Sequence, residues 1–77
     1  MKPVQCKMAR AALGLGVREL AAAAGVSPDT IARLERGEVI RASTLAGVQK
    51  ALEAAGIEFI PENGSGAGVR IKKERVS

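Results

Sequence analysis

VRELAAAAGVSPDTIARLERG (residues 17–37) is the stretch whose reading decides the fold. It splits into two short helical segments, residues 17–24 and 27–36, on either side of Gly25-Val26. A tight turn between helices favours a residue that tolerates positive φ, and Gly25 supplies it. Ser27-Pro28 is a strong start signal for the second segment, because the hydroxyl can accept from an orphan amide and proline suits the first helical position. Two such helices cross closely only where a side chain is small, the part assigned to Ala21. Leu20, Val26, Ile31 and Leu34 are then spaced to bury together, which leaves Ser27, Asp29, Thr30, Arg33 and Arg36 on the opposite, polar face. Gly37 marks the stop.

Working outward, the spacing predicts a first helix over Pro3–Leu13, stopped by Gly14, with Cys6, Ala9 and Leu13 on its apolar face and Lys7 and Arg10 turned elsewhere. Gly16 is a permissible N-cap for the helix that begins at Val17. After a loop over 38–42, a fourth helix opens at Ser43 or a near neighbour, carries Leu45, Val48 and Leu52 on one face and ends at Gly56. Gly47 inside it costs about 1 kcal/mol relative to alanine, which suggests a close helix approach there. The pattern then changes to a short apolar run (57–60), a segment rich in Gly, Asn and Pro (61–68) and an alternating Val69-Arg70-Ile71, which reads as a β-hairpin. The expected fold class is mostly α: a bundle of four to five helices with a C-terminal β-hairpin. The expected organisation is a helical domain over 1–56, a hairpin extension over 57–72 and a flexible tail over 73–77.

The chain has 77 residues, room for one domain that buries only about 60% of its unfolded surface. Apolar residues form 47% of it but Phe59 is the one aromatic, so the core must be thin and filled by Leu, Ile, Val and closely packed alanines. Twelve basic against eight acidic residues give a net charge of +4, with seven bases and four acids in residues 1–41, so a polyanion is a plausible partner for the first half. A single Cys6 with no His excludes an intramolecular disulfide and a zinc site and fits a reducing compartment. Cys6 reads as an inert small hydrophobe. No apolar run approaches a membrane span, so the expectation is a cytoplasmic protein without a membrane partner. Catalysis, metals and cofactors are not expected: histidine is absent, and the glycines of 63–68 are not followed by the Lys-Ser/Thr of a phosphate-binding loop.

A polar helix face of this kind fits the major groove of B-DNA, where N-terminal side chains reach base edges first. Thr30 and Arg33 lie one turn apart, and Arg33 can bond a guanine bidentately; Arg18, Arg36, Arg41 and Ser27 at the capped helix start are candidates for phosphate. The bland alternative for Arg33 and Arg36 is a solvated face, paired with Asp29 or Glu35. Residues 17–37 resemble the lambda-repressor-like, Xre-type helix-turn-helix family, and the resemblance extends over residues 6–55, including Thr44-Leu45. It implies a domain that binds a double-stranded DNA operator, usually as a dimer and usually as a transcriptional repressor. It also implies base-reading sites at Pro28, Asp29, Thr30 and Arg33 and a phosphate clamp at Val17, where the family often has glutamine. One module covers few base pairs, so a homodimer on an inverted repeat is expected, with Ile57, Phe59, Val69 and Ile71 of the hairpin as its surface. Packing of those four within the chain is the alternative. A competing function is a protein-binding antiactivator or adaptor that has given up DNA, favoured by Val17 and Asp29, or an antitoxin combining both activities.

Overall fold

Four helices form, α1 (Pro3–Leu13), α2 (Val17–Ala24), α3 (Pro28–Glu35) and α4 (Ala42–Ala54), followed by the strands β1 (Ile57–Ile60) and β2 (Gly68–Ile71). The computed structural model describes residues 1–72, so the tail expected over 73–77 lies outside the described residues. The first three helices close alike. Gly14, Gly25 and Gly37 take positive φ, each donates to the carbonyl three residues back, and the following amides of Leu15, Val26 and Glu38 reach five back to Arg10, Ala21 and Arg33. This paired closure is the Schellman motif, and it satisfies carbonyls that a helix end would otherwise leave open. At Gly25 it also turns the chain from α2 into α3 in three residues.

The helices meet over Cys6 and Ala9 of α1, Leu20 and Ala21 of α2, Ile31 and Leu34 of α3, and Val48 and Leu52 of α4. Leu13, Val17, Val26 and Leu45 pack at the margin, so Val26, expected inside, is only partly buried. Ala21 sits in the core beside Leu20, where its small side chain lets α2 and α3 pack closely. α4 begins at Ala42, next to Ser43 as expected, with Arg41 at the cap and no side-chain cap bond. One expectation for this helix is corrected. Nothing approaches within 4 Å of where a Cβ on Gly47 would stand, so that glycine accommodates no close neighbour. Among the described residues no helix is long and apolar enough to cross a membrane.

β1 and β2 pair antiparallel in the register Ile57 to Ile71, Glu58 to Arg70, Phe59 to Val69 and Ile60 to Gly68. Directly opposed residues share a face. Glu58 and Arg70 therefore stand together and form a two-pronged ion pair at 3.0 and 3.2 Å. On the other face Ile57 is fully buried in the helical core, with Phe59 and Val69 packed against it. An isolated hairpin is marginal in water. Here Gln5, a buried polar residue of α1, holds it: the side-chain amide donates to the carbonyls of Ile60 (3.1 Å) and Gly68 (2.9 Å). The Gln5 carbonyl oxygen in turn accepts from the Lys2 amide at 2.8 Å. Lys72 donates its amide to the Gly56 carbonyl at 2.7 Å, closing the base of the hairpin.

Candidate nucleic-acid interface

α3 is anchored from below by Ile31 and Leu34 and from the side by an ion pair. Glu35 turns back to α1, where its two oxygens accept from Arg10 Nε and Nη2 at 2.9 Å each, while the Cys6 thiol donates to Oε2 at 3.3 Å. The Glu35 side chain is only 6% exposed and that of Arg10 23%, so the pair is largely shielded from water. Burial raises the Glu35 pKa, but the hydrogen bonds from Arg10 and Cys6 and the charges of Arg10 and Lys7 outweigh it and hold the carboxyl below its ordinary range. The same surroundings work in the opposite direction on Cys6: burial, the bond to Glu35 and the negative charge push its thiol up to about 12. Such a group is a poor nucleophile, in keeping with an inert core position.

The other side of α3 is open. Ser27 caps the helix, its hydroxyl accepting from the Thr30 amide at 3.2 Å and lying 2.9 Å from the Thr30 hydroxyl. One hydroxyl donates in that pair, so the other keeps its hydrogen for an outside acceptor. Ser27, Pro28, Asp29, Arg33 and Arg36 are exposed and Thr30 is half-buried. Since Pro28 has no N–H and Ser27 occupies that of Thr30, the Asp29 amide is the donor left in the first turn.

The sequence-based pairing of Arg33 and Arg36 needs correction. Neither meets Asp29 or Glu35; both meet Glu38. Arg33 Nε donates to Oε1 of Glu38 at 3.0 Å, and Arg36 Nε donates to Oε2 at 2.9 Å, with its Nη2 in ion-pair contact with the same oxygen at 2.8 Å. Those bonds, from Arg33 first and Arg36 second, hold the Glu38 carboxyl below the usual carboxylate range. Thr30, Arg33 and Arg41 line one shallow concave surface with Val39, Ile40 and Thr44. Val39 is 93% exposed, a bare apolar side chain on this surface.

Of the remaining positions, Arg18 and Arg41 are exposed and hold no ion pair among the described residues. Val17 is half-buried and packs against the core, and the Glu19 carboxylate lies beside Gly16 at the α2 N-terminus. The hairpin set divides: Ile57 lies in the chain's own core, Phe59 and Val69 are half-buried against it, and Ile71 is 54% exposed. Sequence reasoning missed Glu38 and Val39, assigned to a plain loop, and Gln5. The spacing of Gln5 with Ala9 and Leu13, at i, i+4 and i+8, was the available signal for Gln5, since it sets a polar residue on the apolar stripe.

Two short helices packed through a buried alanine, turned by a left-handed glycine and presenting the capped start of the second to solvent, define a helix-turn-helix protein, the class of fold that places its second helix in DNA. The model of the helix-turn-helix domain family matches residues 5–58, and the chain belongs to that family. No curated protein matches the chain.

Proposed function

We propose that the chain is a sequence-specific, double-stranded DNA-binding transcriptional regulator of the cytoplasm, acting as a repressor, with α3 in the major groove. The observation that carries this reading is the open, capped N-terminal face of α3, set on a surface that continues into Arg41. Thr30 and Arg33 read bases, Arg33 by its fork on a guanine; Asp29 accepts from a cytosine amine; Pro28 offers ring carbons to a thymine methyl. Ser27, Arg18, Arg36 and Arg41 neutralise or bond phosphates, with the Val17 amide at the start of α2 a further donor. A domain seated in the groove blocks the site it occupies, which is a physical basis for repression.

Useful specificity needs two copies on half-sites about one helical turn apart, hence a homodimer on an inverted repeat. With the inner face of the hairpin packed on the helices, the surface available for a second copy is Ile71 and the unpaired edges of the two-stranded sheet. The test is selection from a random pool of double-stranded DNA at two salt concentrations, with wild type and Arg33→Ala. The expected result is a short inverted repeat, a steep salt dependence, and loss of one base preference per half-site in the variant. Weak salt-sensitive adhesion without selection by the wild type would instead favour a protein-binding adaptor.

A further inference from the structure

We infer that Glu38 is a positioning residue for base reading: its carboxylate presets the Arg33 guanidinium for end-on contact with a guanine. The inference rests on the DNA-binding reading of α3. An acid next to a phosphate-facing surface weakens attraction to DNA, so its presence between two arginines requires an account. The geometry supplies one. Gly37, at φ 86, and the Glu38 amide bonded to the Arg33 carbonyl at 3.1 Å form the closure of α3. The backbone that terminates the helix therefore also fixes where the Glu38 side chain starts relative to Arg33.

From there one carboxylate oxygen takes Arg33 Nε, and the other takes Arg36. The hydrogen bond from Arg33 is through Nε alone, and its two terminal nitrogens hold no hydrogen bond among the described residues. Those are the two donors that meet guanine O6 and N7 when arginine approaches end on. A free arginine must lose its rotamer freedom on binding; one already held by Nε loses less. Arg36 differs, with Nε and Nη2 both turned to the carboxylate, and is a phosphate contact at most.

The experiment compares wild type, Glu38→Ala and Glu38→Gln on the operator recovered from the pool and on unselected duplex DNA. Both variants change the net charge equally, so a difference between them is geometric. Glu38 is exposed, so both variants are expected to fold, which a thermal melt checks. Both are expected to bind unselected DNA several-fold more tightly at low salt, since a repelling carboxylate is gone. Glu38→Ala is expected to lower the ratio of operator to unselected binding about tenfold, with the loss concentrated at the guanine that Arg33 reads. Glu38→Gln, which keeps an acceptor for Nε, is expected to lose less. In the Arg33→Ala background, Glu38→Ala should no longer change the ratio. If Glu38→Ala leaves the ratio and the selected sequence unchanged, Glu38 is a plain electrostatic brake and the inference falls while the DNA reading stands. If wild type selects no sequence, the DNA reading itself falls.

Discussion

At the scale of single residues, Glu35 has the clearest consequence. It ties α3 to α1 through Arg10 and Cys6, and its carboxyl is held below the ordinary range. A folded-state pKa depressed below the unfolded one means that protonation favours unfolding. The stabilisation is complete above the ordinary carboxylate range and is lost as the pH falls through the depressed value. Denaturant titrations across that window should show wild-type stability declining with acidification, and Glu35→Gln should flatten the decline. At neutral pH Glu35→Ala should cost about 3 kcal/mol, because it leaves a largely buried guanidinium without its partner. An unchanged acid profile in Glu35→Gln would show that other carboxylates control it. Which residues are inside was legible from spacing: Cys6, Ala9, Leu20, Ala21, Ile31 and Leu34 are all buried. Which charges meet was not. Helical spacing brings i+3 and i+4 neighbours together, but Arg33 reaches Glu38 around a glycine turn, and Arg10 and Glu35 are brought together only by tertiary packing.

At the scale of elements, turn chemistry made the chain readable. The segments expected over Pro3–Leu13 and Val17–Ala24 form with those bounds, and Ser27-Pro28 opens α3. The one misleading mark is Gly47. A glycine in a helix signals either a close neighbour or a plain weakness, and the two look identical in sequence. With nothing within 4 Å of the place an added methyl group would take, only the weakness remains. Gly47→Ala should therefore stabilise the protein by about 1 kcal/mol, a rise in Tm of roughly 4–8 °C for a domain of this size. A thermal melt decides it; a fall in Tm would mean that the α4 surface is packed against something not in this chain. The hairpin was legible as an element but not in its placement, since the alternation of Val69-Arg70-Ile71 identifies an apolar face without saying what covers it.

At the scale of the whole molecule, what covers that face is the helical core, and Gln5 is the fastening. Replacing it with alanine leaves the carbonyls of Ile60 and Gly68 without their donor, at a cost of about 1–3 kcal/mol. In native-state hydrogen exchange, Gln5→Ala should release the amides of β1 and β2 well before those of α2 and α3. Equal protection throughout would show that apolar packing alone holds the hairpin. The same fastening carries a consequence in time. Gln5 and Gly68 are 63 positions apart, and α1 also packs on β2. A ribosome adding about 5–20 residues per second needs several seconds to travel between them. Throughout that interval the newborn α1 has made its buried amide and no partner for it, whereas α2 and α3, neighbours in sequence, can pair as soon as both have emerged. Birth order thus sets a sequence of events in which α3 is assembled early and α1 is the last helix to be finished.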